Sequence, residues 1–173
     1  MKKGYKIICS SLPHTASTLL ANCIYGFLYP HEPLELPDSE YAEQDPNRTI
    51  LKTHNIDLSM WEKKFEDYDV FFIMSERRNR GYILPDKFRN LKNVVIFDFD
   101  ELNETENYNV KSIVLHVYSK IKKILPTTLD LKINDAITRI ENMNKLYETI
   151  KHKPFEYVDK FYHIHGAHRG RLS

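Results

Sequence analysis

Four short apolar runs, spaced by stretches of helical periodicity or polar turns, constrain this chain most. They are "YKIICSS" (5–11), "RTILKTHN" (48–55), "YDVFFIMS" (68–75) and "NVVIFDFD" (93–100). Runs of this length, rich in β-branched and aromatic residues, read as buried strands. Between and after them the spacing changes. Residues 15–29 carry Ala16, Leu19, Leu20, Cys23, Ile24 and Phe27 at helical intervals. Asp57 stands where an N-cap belongs and opens a short helix over 57–67. Residues 85–92 read as a turn of helix. A helix over 106–125 places Val110, Ile113, Val114, Val117, Ile121 and Leu125 on one face, and a last long helix covers about 130–151. Its stripe from Ile133 through Ala136, Ile140 and Met143 to Ile150 reads as core packing. Apolar strands alternating with helices need crossover connections and a parallel sheet covered on both faces. The expected fold is therefore a three-layer α/β domain, residues 1–173, around a mainly parallel sheet of about four to five strands. The segment 30–47 holds four prolines and many acids, and reads as a long loop.

Length and charge narrow the function classes only a little. At 173 residues the chain can bury a full core, and its formal net charge of +1 neither favours nor opposes nucleic acid. Anion binding has to come from local clusters. The two cysteines, Cys9 and Cys23, lie in apolar contexts and read as buried thiols rather than a disulfide. The apolar run behind the N-terminal lysines is short for a signal peptide, and no segment reaches the roughly 20 apolar residues of a membrane span. A cytoplasmic protein is the expectation.

In parallel sheets ligands collect beyond the carboxyl ends of the strands, so the residues after each strand matter most. After the first comes "SSLPHTASTLL", with hydroxyls at Ser10, Ser11, Thr15, Ser17 and Thr18 around Pro13 and His14. Small residues and unpaired amides at a helix N-terminus suit a phosphate or sulfate, whereas plain N-capping needs only one hydroxyl. The G-x-x-x-x-G-K-S/T pattern of a Walker A loop is absent. After the second strand come Lys52, Thr53 and His54; alternation puts Lys52 and His54 on one side, where an ammonium favours a neutral imidazole. Arg77, Arg78 and Arg80 follow the third strand, and arginine forks match phosphate oxygens. Asp98 ends the fourth strand, where it reads as a strand-end cap or, more weakly, a metal carboxylate. The tail "FYHIHGAHRGRLS" offers His163, His165 and His168 to a metal, or Gly166, Arg169, Gly170 and Arg171 to an anion; the anion is the preferred reading.

The order of these motifs resembles the sulfotransferases, P-loop-like enzymes that transfer a sulfuryl group from 3'-phosphoadenosine 5'-phosphosulfate. In that family the first strand enters a loop of Pro, a basic residue, Ser or Thr, Gly and two further Ser or Thr; "LPHTASTLL" is similar to it. The family's Lys-Thr-His at a strand end is matched by Lys52, Thr53 and His54, and its later arginine by Arg77 or Arg78. Its Tyr-Glu-Asp-Leu segment looks like Phe99 to Leu102, and its C-terminal His- and Arg-bearing element like "HIHGAHRGR". The resemblance runs from residue 5 to residue 171 and implies a P-loop NTPase-like fold. It implies His54 as general base, Lys52 on the sulfuryl oxygens and His14 at the leaving group. It further implies that Pro13, His14, Thr15, Ala16, Ser17 and Thr18 hold the 5'-phosphosulfate. Arg77 or Arg78, with Arg169, would take the 3'-phosphate, Phe99 would lie near the adenine, and Gly166 and Arg171 would complete the site. The partners implied are the nucleotide donor and a hydroxyl acceptor, with no metal, nucleic acid or membrane span. Three departures bear on rate: His14 replaces a lysine or arginine, Ala16 replaces a glycine, and the serine downstream of the arginine is missing. Two alternatives accompany this reading. One is a degenerate P-loop kinase or NTPase using Asp98 with Mg²⁺, and the other a catalytically silent nucleotide-binding protein.

Overall fold

A computed structural model describes residues 1–31, 47–102 and 109–150. Four strands, β1 (Tyr5–Ser10), β2 (Ile50–Thr53), β3 (Asp69–Glu76) and β4 (Val94–Asp98), form one sheet in the order β2-β1-β3-β4. Every pairing is parallel, with Ser10 level with Thr53 and Glu76 level with Asp98. The helices are α1 (Ser17–Leu28), α2 (Leu58–Lys64), a short α3 (Phe99–Leu102), α4 (Val110–Ile121) and α5 (Ile133–Ile150). Tight 3₁₀ turns cover Arg78–Arg80 and Asp86–Asn90.

Strand alternation divides the core in two. Ile7, Cys9, Ile50, Ile73 and Phe97 face α1, α4 and α5. Ile8, Leu51, Phe72, Met74 and Val94 face α2 and the 86–90 turn, where Leu58, Trp61 and Phe88 meet them. The result is a sheet with helical layers on both faces, an α/β architecture of the expected kind. Both cysteines are free and buried. Among the described residues no helix is long and apolar enough to cross a membrane.

Helix α1 is buried on every side from Ser17 to Phe27, not along one stripe. The sheet takes one flank and α5 another, and Gly26 is what permits the contact. A Cβ on Gly26 would stand 2.4 Å from the Ala136 Cα.

Several boundaries differ from those expected, most of them for a local reason. The first helix starts at Ser17 rather than 15, because Ala16 sits at φ 64°, ψ 28°, in the left-handed region. The fourth strand ends at Asp98, whose Oδ1 accepts the Asp100 amide at 3.0 Å and turns the chain into α3. The next helix begins at Val110, since the Asn109 side chain caps it by accepting from the Ser112 amide at 3.2 Å. The last begins at Ile133 rather than about 130. Residues 32–46 of the expected loop and the whole tail from 151, with His163, His165, Gly166, His168, Arg169 and Arg171, lie outside the described residues.

Candidate functional site

The sheet order singles out one crevice. From β1 the chain leaves toward the α1 face, whereas from β3 it leaves toward the face holding Leu84 and Phe88. Adjacent parallel strands whose connections diverge leave a crevice beyond their carboxyl ends, where such folds bind ligands. Here it lies between the β1–α1 turn and the segment after Glu76.

Hydroxyls tie the turn to the strands beneath it. Ser10 Oγ donates to the Asn55 carbonyl at 2.6 Å, and Ser11 Oγ accepts the Ser75 amide at 3.0 Å. Thr15 Oγ1 donates to the Leu12 carbonyl at 2.6 Å and, its one proton used, accepts from Ser75 Oγ at 2.7 Å. Ser10, Ser11 and Thr15 therefore hold the turn in place, and the Ser10 and Thr15 protons are committed to protein carbonyls, whereas Ser11 acts as an acceptor. The expectation that these hydroxyls add donors to a cradle is corrected for Ser10 and Thr15. Ser75, which the sequence reading passed over, is the hub. Its role depends on β1–β3 pairing, and its only sequence signal is a hydroxyl ending an apolar run.

Backbone groups and two buried hydroxyl-bearing residues remain for a ligand. The N-cap position of α1 is Ala16, which makes no side-chain cap, and no acid lies in the first turn. Capping by hydroxyl is thereby excluded as the purpose of the Ser/Thr cluster, and the first-turn amides keep the positive end of the helix dipole uncompensated by any side chain there. His14 (φ 60°) and Ala16 (φ 64°) are the described non-glycine residues with positive φ. Left-handed backbone costs about 1–2 kcal/mol per residue. Alternation of hand through His14, Thr15 and Ala16 is the geometry that turns successive amides toward one anion. Pro13 and His14 are exposed at the rim, while Ser17 and Thr18 are buried. Among the described residues two buried side-chain polar atoms lack a hydrogen-bond partner: Thr18 Oγ1 and Arg77 Nε. Both belong to residues at the carboxyl end of the sheet. Each is a donor with no acceptor among the described residues.

The second strand delivers His54 to the same place. Its Nδ1 lies 2.9 Å from the Ser11 carbonyl. A carbonyl only accepts, so Nδ1 carries the proton and Nε2 keeps its lone pair. The turn that follows is firmly built: Asn55 N donates to Thr53 Oγ1 at 3.0 Å, and Trp61 Nε1 donates to the Asn55 carbonyl at 3.0 Å. Burial, then the Lys52 ammonium, and more weakly His14, push the His54 pKa below its ordinary 6.5, against the pull of the Ser11 carbonyl. The imidazole is neutral at pH 7. Lys52 itself is buried, level with Cys9 on the sheet, and its charge moderates a Cys9 thiol that burial pushes up to about 12.

The third strand ends in a hairpin. Arg77 and Tyr82 exchange both backbone hydrogen bonds (2.8 and 3.1 Å), and Gly81 closes the loop at φ 77°. The Arg77 guanidinium stacks 3.8 Å above the Phe99 ring. Phe99 is 6% exposed, so Arg77 covers the ring that the resemblance puts near an adenine. Arg78 turns the other way and donates from Nε to Glu76 at 2.8 Å. Asp98 Oδ2 accepts the Arg78 amide at 3.2 Å; with Asp100 on Oδ1, both its oxygens cap backbone. The structure thus sets His54 against the turn of Pro13, His14, Thr15, Ala16, Ser17 and Thr18, keeps Lys52 buried beside Cys9, and carries Arg77 to Phe99 on the β3 side with Arg78 turned away.

A separate groove of about 450 Å³ lies at the other end of the strands, near Asp69 and Val70. Its Glu62, Glu66 and Asp69 carboxylates repel anions. Comparison with known proteins gives no match: no family model, no curated protein and no solved structure matches the chain.

Proposed function

We propose that the chain is a sulfotransferase-like protein that moves a sulfuryl group from 3'-phosphoadenosine 5'-phosphosulfate to an acceptor hydroxyl. The observation that carries this reading is the His54–Ser11 contact at 2.9 Å, which sets a neutral imidazole against an amide-rich turn. The order of the motifs along the chain supports it, as do the unpartnered Thr18 Oγ1 and Arg77 Nε. In this reading the fold is P-loop NTPase-like.

The bound donor supplies an activated sulfuryl group. Amides of residues 14–18 hold its 5'-phosphosulfate, and Lys52 neutralises the sulfuryl oxygens. His54 Nε2 takes the acceptor's proton as the acceptor oxygen bonds to sulfur and the S–O bond to the 5'-phosphate breaks. General-base help of this kind is worth roughly 10²–10⁴-fold. The rest of the acceleration comes from fixed charges around the spreading negative charge. His14 stands by the leaving oxygen, Arg77 takes the 3'-phosphate, and Arg169, Gly166 and Arg171 of the tail complete the grip. No residue in this scheme needs a metal.

A sulfuryl-transfer assay on His54→Ala tests the reading, with turnover expected to fall at least about 100-fold. Unchanged turnover removes His54 as base. A second reading, a binding protein without transfer, is favoured by Ala16 and His14 in left-handed backbone where glycine and a permanent cation would serve better. It predicts nucleotide binding with no transfer to any acceptor. The kinase reading with Asp98 on Mg²⁺ is less favoured, because both Asp98 oxygens already cap backbone amides. Stabilisation only by ATP with Mg²⁺ would bring it back.

A further inference from the structure

We propose that Glu76 is a positioning residue, which clasps Arg78 and Arg89 and thereby turns Arg77, rather than either of those two, toward Phe99 to bind a phosphomonoester. This rests on the reading of Arg77 as a nucleotide contact and extends it to the groups that place it.

Glu76 ends β3 and its side chain is 2% exposed. Its carboxylate accepts four hydrogen bonds: Arg78 Nε at 2.8 Å, Arg89 Nη2 at 2.9 Å to one oxygen and 2.7 Å to the other, and the Leu84 amide at 2.9 Å. Those partners come from the first, middle and last parts of the 78–89 connection, so one carboxylate fixes the whole segment. The arginines are then held apart. Arg78, in the 3₁₀ turn beyond the strand, is drawn back to Glu76 by their hydrogen bond. Arg77, in extended backbone at φ −139°, stands on the face of Ser75, the residue that ties down the β1–α1 turn. Arg77 is carried to Phe99, and its Nε is buried without a partner.

The charges support the same assignment. Burial alone would raise the Glu76 pKa. Donation from Arg89, Arg78 and the Leu84 amide outweighs it and holds the carboxyl down at about 2. The clasp therefore stays ionised at neutral and mildly acidic pH, and Arg78 and Arg89 stay engaged there. With those two guanidiniums held by a carboxylate, a phosphate at the Phe99 side of β3 meets Arg77 rather than Arg78 or Arg89.

The test follows arginine Nε–H signals by NMR on the full-length chain, titrated with inorganic phosphate, adenosine 5'-monophosphate and adenosine 3',5'-bisphosphate. In the wild type the Arg77 Nε–H signal shifts with phosphate and with the bisphosphate, while those of Arg78 and Arg89 hold still. The bisphosphate binds at least about tenfold tighter than the monophosphate, as a charge-assisted hydrogen bond implies. In Glu76→Gln, and in Arg89→Gln, which loosens the clasp away from Arg77, that preference shrinks to within about threefold while monophosphate affinity holds. Trp61 near-ultraviolet dichroism reports folding of each variant. Arg78→Met loses less of the preference than Arg77→Met. An unchanged preference in both folded clasp variants, or equal losses in Arg77→Met and Arg78→Met, overturns the proposal. Failure of the Arg77 signal to respond to any of the three anions also overturns it. A response to phosphate without binding of either nucleotide leaves the clasp standing and removes the sulfotransferase reading instead.

Discussion

At the scale of single residues, His54 is where sequence and structure meet most directly. Lys52 and His54 were legible as a pair, because alternation along a strand needs no tertiary knowledge. The tautomer was not, since it depends on the Ser11 carbonyl brought across from β1. With its pKa depressed by burial, Lys52 and His14, His54 stays neutral down to a pH below 6.5. Transfer activity is expected to fall on an acid limb below pH 6.5 as His54 takes up a proton, and His54→Gln should abolish that limb along with the rate. The linkage has a definite sign. A folded-state pKa below the unfolded value means that the unfolded chain binds the proton first, so the contribution to stability is present above pH 6.5 and lost as pH falls through that range. Ala16 was legible as a departure from glycine, but its left-handed backbone was not. Ala16→Gly removes a penalty of about 1–2 kcal/mol and adds about 0.4–1 kcal/mol of unfolded-state entropy, leaving a small net gain in stability. Chemical denaturation reads the difference; a loss of more than about 1 kcal/mol would show that the turn is not strained there.

At the scale of elements, the strands were legible because buried parallel strands are continuous apolar runs. Their ends, and the helix starts, were set by side chains that periodicity does not see: Asn109 capping α4, and Asp98 turning β4 into α3. The all-round burial of α1 was hidden as well, because it depends on α5 packing across Gly26. Gly26→Ala forces the two helices apart where a Cβ would stand 2.4 Å from Ala136. Overpacking of this kind costs about 1–3 kcal/mol, which a urea midpoint resolves. The 76–89 segment makes a second test. Removing one partner from a buried ion pair costs about 3–5 kcal/mol, and Glu76→Ala belongs at the low end because Arg78 and Arg89 reach solvent. The Glu76 pKa of about 2 lies below its ordinary 4.5, so its stabilisation is present above pH 4.5 and is lost as pH falls toward 2. Acid titration should show that slope in the wild type and a shallower one in Glu76→Gln.

At the scale of the whole molecule, the three-layer plan was legible from the alternation of elements, but the strand order was not. Apolar runs do not say which strand is a neighbour of which. The order β2-β1-β3-β4 puts the switch in connection direction between β1 and β3 and sets His54, from β2, beside the β1–α1 turn. A ligand bound there bridges both halves of the sheet and should stabilise the fold as one unit. At 100 times its dissociation constant a ligand adds about 2.7 kcal/mol, a rise in Tm of roughly 5–10 °C for a chain of this size. Adenosine 3',5'-bisphosphate without metal is expected to produce that rise.

The most direct measurement is a crystal structure of the chain with adenosine 3',5'-bisphosphate. The 5'-phosphate is expected on the amides of residues 14–18, within reach of His54 Nε2, and the 3'-phosphate on Arg77. A nucleotide lodged elsewhere, or a 5'-phosphate separated from the imidazole by the sheet, would contradict the account.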